Sequence, residues 1–312
     1  MTSLSLPTHA DGVNVTLAEL LQYKNEARHF LPPSISIWSQ LNGKHRSHKR
    51  GRGMDFSEVR PYQPGDDVRS IDWRVSARTG KTHTKLYTEE REQPVMLLVD
   101  LSAQMKFGSQ LLLKSVQACH LAALLSWIAC SQKDRIGAVI YNGISLYECK
   151  PTARKQGTLQ VLGSLIKSHQ EMLKNSEPSQ SNQFHQALEH LHRLCPKGSD
   201  ITLISDFYSL KEQDKKSLSQ LIRHNRMQCV RIFDPLEKGD TEFRGSELVA
   251  DNKQSLWLNF GAETTRNRLA INFSTHQDFV KNLTQSLAIP FFSLSTHLPL
   301  LHQFTQFTHS RF

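Results

Sequence analysis

The chain has 312 residues, with 38 Lys and Arg against 29 Asp and Glu, for a formal net charge of +9. That length supports one large domain or two modest ones. The longest apolar stretch, Ala118 to Cys130, is interrupted by His120 and Ser126 and falls well short of the ~20 residues a bilayer-crossing helix needs.

The opening MTSLSLPTHADGVNV lacks the basic start and apolar middle of a secretory signal. A cytoplasmic protein with no direct membrane insertion is therefore expected. The five cysteines are odd in number and contain no Cys-x-x-Cys pair, so neither a disulfide framework nor a zinc site is signalled. Cys119 and Cys130 fall in an apolar helical stretch and read as packing residues.

In chain order, the first helix is announced at Thr16, whose hydroxyl can cap it while Glu19 reaches back, the reciprocal pattern of a capping box. Pro32 and Pro33 stop it. Lys44 to Arg52, KHRSHKRGR, then holds five Lys or Arg and two His in nine residues. Lys44, Arg46, Lys49, Arg50 and Arg52 are candidates for holding phosphate or the acidic face of a partner. The rest of the first 94 residues is net acidic, so the alternative is a solvated loop or one neutralised by its own neighbours, and nucleic acid is not the expected partner.

In PYQPGDDVRSIDWRV, Ile71, Trp73 and Val75 alternate with Asp72 and Arg74, the period of a half-buried strand. THTKLYTEE is a second extended stretch. This part is too poor in apolar residues for a core of its own and is expected to pack as an extension on the main domain. Its charges, Glu58, Arg60, Asp66, Asp67, Arg69, Asp72, Arg74 and Arg78, pair opposite signs closely, and Pro64-Gly65 turns the chain between them. An architectural network that fixes docking is the expected role. A catalytic or ligand-binding cluster is the alternative, with Asp66 and Asp67 its leading pair.

From Val95 strand and helix alternate. VMLLVD is a continuous apolar run, as in a strand buried on both faces, and a helix is expected over 109–131. RIGAVIY and ISLYECK flank Asn142-Gly143, a strong hairpin signal, which places an antiparallel pair at one edge. ITLISD, QCVRIF and PFFSLS supply three more strands, and two helical stretches bracket the polar linker at 175–182. The expected architecture is α/β, a doubly wound, mostly parallel sheet, over 95–312, preceded by the charged extension at 1–94.

Function in such a sheet is expected outside the carboxyl ends of the strands, where the strand order reverses. Asp100 and Asp206 both project there, and with Ser102 they are suitable oxygen ligands for Mg²⁺. The alternative is that Asp100 caps its turn and Asp206 bonds backbone amides. No Gly-x-x-x-x-Gly-Lys-Ser/Thr, Gly-x-Ser-x-Gly, His-Glu-x-x-His or Gly-x-Gly-x-x-Gly element occurs. His185, His190 and His192 diverge around a helix instead of sharing a face. No catalytic residue is assigned.

GRGMDFSEVRPYQPGDDVRSIDWRVSARTG, running into VMLLVDLSAQM and followed by KSVQACHLAALLSW, DRIG, ISDF and SRF, resembles the family called domain of unknown function fifty-eight across nearly the whole chain. That resemblance implies a von Willebrand factor A-like, Rossmann-type fold. Its metal motif is Asp-x-Ser-x-Ser, joined by a Thr from a later loop and an Asp after the fourth strand. The implied set is Asp100, Ser102, Gln104, Asn182 and Asp206, with Gln104 and Asn182 departing from the pattern. The resemblance also implies an adaptor that works with a MoxR-type AAA+ ATPase and a client. Nucleic-acid binding through 44–52 and a metal-dependent hydrolase at Asp100 and Asp206 are the alternatives.

Overall fold

The computed structural model describes residues 6, 8–29, 54–89, 92–174, 183–240, 243–250 and 255–309. They fall into two compact units, one built from 1–38 with 93–312 and one from 39–92.

The larger unit opens with α1 (Leu17–His29). Its capping box forms as the sequence expects: Glu19 N donates to Thr16 Oγ1, and Thr16 N to Glu19 Oε2, both at 3.3 Å. This helix does not belong with the charged segment that follows it, so the expected division at residue 94 is redrawn. The reason is a set of specific contacts with the core helix of the larger unit. Glu19 Oε1 lies 2.5 Å from His120 Nε2, with both side chains fully buried. Trp127 Nε1 donates to Leu20 O at 3.1 Å, and Tyr23 tilts against the His120 ring.

The smaller unit pairs β1 (Met54–Pro61) antiparallel with β2 (His83–Glu89). Between them lies α2 (Trp73–Thr79), where alternation predicts a strand. Asp72 decides this locally: its Oδ1 accepts from the backbone N of Arg74 and Val75, so it N-caps a helix. Gly80, at φ 70°, closes the helix in the left-handed conformation. Trp73 is accordingly 70% exposed and does not face inward.

In the larger unit six strands form one sheet: β3 (Pro94–Asp100), β4 (Arg135–Tyr141), β5 (Leu146–Ala153), β6 (Asp200–Ser205), β7 (Arg226–Phe233) and β10 (Phe291–Ser295). The order across it is β10-β7-β6-β3-β4-β5, parallel except for β5. The hairpin expected at Asn142-Gly143 is present: Asn142 Oδ1 accepts from Ile144 N and Ser145 N, and Gly143 sits at φ 89°. Counted from β3, the order reads 3-2-1-4-5-6, the doubly wound arrangement, and it reverses between β3 and β6.

Between β3 and β4 runs α3 (Lys114–Ser131), which is apolar on every side and buried along nearly its whole length. Such a helix belongs inside a protein. It begins at 114, later than the 109 expected from periodicity. α4 (Arg154–Lys174), α5 (Gln183–Leu194) and α6 (Lys215–Ile222) follow. A second hairpin, β8 (Ser246–Ala250) with β9 (Ser255–Asn259), lies outside the six-strand expectation and precedes α7 (Glu263–Ser286). α8 (Leu300–His309) follows the last strand. All five cysteines are free. No described helix is long and apolar enough to cross a membrane.

Glu19 serves both a helix cap and a buried imidazole. Replacing it with Ala removes a cap, at about 0.5–2 kcal/mol, and strands a buried donor, at about 1–3 kcal/mol. Urea denaturation should show Glu19→Ala less stable by roughly 1.5–5 kcal/mol, the two combined, with Glu26→Ala as the near-neutral comparison.

Candidate functional site at the carboxyl ends of the strands

Asp100 is the last residue of β3, and Asp206 follows β6, its hydrogen-bonded neighbour. Register alone therefore brings two carboxylates together at the point where the strand order reverses. Both are fully buried. Asp100 Oδ1 accepts from Ser102 N at 2.8 Å, and its Oδ2 accepts from Ser205 Oγ at 2.6 Å. Burial raises the Asp100 pKa, and the neighbouring Asp206 charge raises it further. Burial, then the Asp100 charge, likewise hold the Tyr141 hydroxyl well above its ordinary value. Asp206 Oδ1 accepts from Tyr208 N at 3.0 Å. Phe207, between them, sits at φ 63°, a conformation that costs a non-glycine residue on the order of 1–3 kcal/mol. Its N–H donates to Ser205 Oγ at 2.9 Å, which ties the strained turn to the same network.

The compensating charge comes from a residue the sequence reading did not single out. Lys114, the first residue of α3, places its Nζ 2.8 Å from Asp206 Oδ2 and 2.7 Å from Glu237 Oε1, with the side chain only 2% exposed. Burial alone would lower its pKa, but Asp206 and Glu237 outweigh that and raise it, so the ammonium stays charged at any physiological pH.

Glu237 is held in turn. Its Oε2 accepts from Asp234 N, while Asp234 Oδ1 accepts from Leu236 N, a capping box over Pro235–Lys238. Asp234 also accepts from Ser109 N and from Thr296 Oγ1, joining three loops at this end of the sheet. Two signals for these residues were legible: a lone lysine at the head of an apolar helix, and the Asp-x-x-Glu spacing of a capping box.

Beside this cluster opens a cavity of about 690 Å³, within the range of small-ligand sites. It is lined by Lys114, Asp206 and Glu237 together with Phe107, Tyr208, Leu236, Leu258, Phe260 and Leu269. Behind Tyr208, Arg231 is fully buried, and its guanidinium lies 4.1 Å from the Phe273 ring centroid. Among the described residues none of its nitrogens has a hydrogen-bond partner, and it makes cation–π contacts with the Tyr208 and Phe273 rings. His276 stacks on Tyr208 at 4.1 Å between ring centroids.

Of the sequence-derived metal set, Asp100, Ser102 and Asp206 gather here and are buried. Among the described residues the Ser102 hydroxyl has no hydrogen-bond partner. Gln104 lies on the turn at Ala103–Met105 and is exposed at the cavity edge. Asn182 lies outside the described residues. Among the described residues, no three His, Cys, Asp or Glu groups converge in a metal-holding arrangement. A divalent ion on Asp206 would also stand beside the Lys114 ammonium. At ~4 Å and a dielectric of ~20, that repulsion is about twice the ~4 kcal/mol of a unit-charge pair.

The charged cluster sits in the smaller unit. Arg60 pairs with Asp66 at 2.7 Å, and Asp66 also accepts from Gln63 N across the Pro64-Gly65 turn. The Gln63 amide, then Arg60, hold the Asp66 carboxyl below its ordinary value. Asp67 caps the turn at Val68–Ser70, and Asp72 caps α2 and pairs with Lys85 at 3.4 Å. Arg69, Arg74 and Arg78 are exposed and make no ion pair among the described residues. The carboxylates that were expected to form one network thus serve mainly as local caps. The Glu58 side chain and the basic residues Lys44, Arg46, Lys49, Arg50 and Arg52 lie outside the described residues.

Fold and site together define a von Willebrand factor A-like α/β domain, with Asp-x-Ser ending its first core strand and a second Asp following its fourth. The model for the protein of unknown function DUF58 family matches residues 58–278, and the chain belongs to that family. It is 26% identical over 274 residues to uncharacterised proteins of Mycobacterium bovis and Mycobacterium tuberculosis, covering 87% of this chain and 84% of theirs. Similar solved structures include a conserved hypothetical protein BatB from Bacteroides thetaiotaomicron, with a TM-score of 0.41 and 10% identity over 70% of this chain and 97% of that one. A manganese-loaded TRAP protein from Plasmodium vivax gives a TM-score of 0.32 and 14% identity over 46% of this chain and 57% of that one.

Truncating one partner of a buried ion pair strands the other, at roughly 3–5 kcal/mol. Urea denaturation without divalent ions should show Lys114→Ala destabilised by about that amount, and Glu237→Gln by less, because the Lys114–Asp206 contact survives. Burial, then Arg231, lower the His276 pKa from 6.5. With the folded value below the unfolded one, the neutral ring stabilises the fold fully above about pH 6.5. That contribution is lost as pH falls through the lower, folded value. Thermal unfolding followed from pH 7 to pH 5 should fall less steeply for His276→Gln than for the parent chain.

Proposed function

We propose that this protein is a non-enzymatic interaction adaptor whose docking site is the cavity at the carboxyl ends of the strands. The observation that carries the reading is the chemistry of that cavity. Apolar and aromatic side chains, Phe107, Tyr208, Leu236, Phe260 and Leu269, surround a charged set in which every carboxylate is already engaged. Asp206 and Glu237 bond Lys114 and backbone amides, an arrangement that holds them in place and leaves neither poised to take a proton from a substrate. An apolar rim around a fixed polar centre suits the capture of a protruding side chain or chain end.

The partner proposed is an AAA+ ATPase of the MoxR type together with a client, a reading that rests on what the sequence resemblance implies and not on geometry. Cytoplasmic residence is part of the same proposal. The smaller unit, with its exposed Trp73 and Val68, offers a second surface of the kind partners use.

The test is affinity capture of the tagged protein from lysate of its source cell, with retained proteins identified by mass spectrometry. A parallel capture uses Asn272→Trp, which places a bulky ring at the cavity lining. Recovery of an AAA+ ATPase by the parent chain, reduced tenfold or more by the variant, is the expected result. Recovery of nucleic acid alone would favour the basic segment at 44–52. Mg²⁺-dependent phosphoester turnover that needs Asp100 and Asp206 would overturn the adaptor reading outright.

A further inference from the structure

We infer that the Lys114 ammonium is a tethered counter-cation standing in the place of a divalent ion at the switch point, so that this crevice takes neither Mg²⁺ nor Mn²⁺. A buried carboxylate at a strand end, with a second carboxylate beside it, needs a positive charge next to it, and a bound ion is one way to supply it. This chain supplies it covalently. Lys114 Nζ is 2.8 Å from Asp206 Oδ2 and 2.7 Å from Glu237 Oε1, and the side chain is buried. An ammonium is held by oxygen acceptors at about 2.7–2.9 Å, whereas Mg²⁺ needs oxygens at about 2.0–2.1 Å in an octahedron. The same carboxylate cannot serve both at once.

The remaining donors are committed as well. Asp206 Oδ1 takes the Tyr208 amide, and the two oxygens of Asp100 take the Ser102 amide and the Ser205 hydroxyl. Gln104, which replaces the second hydroxyl of the motif, is exposed. Among the described residues the Ser102 and Tyr141 hydroxyls here have no hydrogen-bond partner, and neutral hydroxyls are too little to outcompete a fixed positive charge. The tether is firm because Lys114 opens α3, and its backbone N donates to Phe107 O at 2.8 Å.

Removing the ammonium leaves Asp206 Oδ2 and Glu237 Oε1 without their cation on either side of the space it filled. Two carboxylate oxygens with water completing the shell are ligands a hard divalent ion accepts. Lys114→Ala should therefore acquire a site that the parent chain lacks.

The experiment is Mn²⁺ titration followed by electron paramagnetic resonance of the free ion, together with thermal unfolding with and without Mn²⁺, on the full chain. The parent protein should leave the Mn²⁺ signal unattenuated and unfold at the same temperature with Mn²⁺ or with chelator. Lys114→Ala should remove about one Mn²⁺ per chain from the free signal, and Mn²⁺ should restore part of its lost thermal stability. Stoichiometric Mn²⁺ binding by the parent chain, abolished in Asp206→Asn, would overturn the inference. So would a folded Lys114→Ala chain that binds no Mn²⁺.

If Lys114→Ala does not fold, Lys114→Gln keeps a polar side chain one atom shorter and removes the charge, and the parent and Asp206→Asn titrations remain decisive alone. The measurement uses no partner. Failure to capture an ATPase would sink the adaptor reading and leave this result standing, and the reverse also holds.

Discussion

The larger unit is organised around one electrostatic constraint: a parallel sheet whose order reverses between β3 and β6 delivers two carboxylates, Asp100 and Asp206, to the same buried place. Like charges out of water repel strongly, and each also loses hydration. Three responses are visible. Asp100 is shifted toward its neutral form, its oxygens receive hydrogen bonds from Ser102 and Ser205, and Asp206 is neutralised by Lys114. The start of α3, the turn at Asp234 to Lys238 and the strained Phe207 are all placed to serve that arrangement.

The neutralisation reaches further than one contact. Lys114 recruits Glu237, Glu237 is clamped by the Asp234 amide, and Asp234 gathers the loops at Ser109 and Thr296. Loops after four different strands are thereby fixed relative to one another by hydrogen bonds to charged groups, which are stronger than neutral ones. A rigid rim results, and a rigid rim loses little entropy when something binds it. The same logic holds at the other face of α3, where His120 and Trp127 secure α1 through Glu19 and the Leu20 carbonyl.

The smaller unit obeys different physics. Its carboxylates are not pooled. Asp66, Asp67 and Asp72 each satisfy backbone amides two or three residues away, as short acidic side chains do at turns and helix starts. The Arg60–Asp66 pair is partly exposed and contributes little to stability on that account. What these residues specify is local chain direction, which explains why a dense pattern of charges can sit in a segment poor in apolar residues.

The sequence by itself determined most of what depends on neighbours in the chain or on a simple period. The buried run VMLLVD, the Asn142-Gly143 hairpin, the Thr16 to Glu19 capping box and the alternation of strand and helix all came from local pattern. With them came the sheet class and the placement of Asp100 and Asp206 at strand ends. It misread the segment after Asp72, because alternation over five residues is a weaker force than a capping carboxylate. Only the tertiary structure decided which cation faces Asp206. Lys114 and Glu237 are separated from it by 92 and 31 positions, and nothing periodic connects them. Which residues share a charge in a buried crevice is set by strand order and by where a helix begins, and those are properties of the fold as a whole.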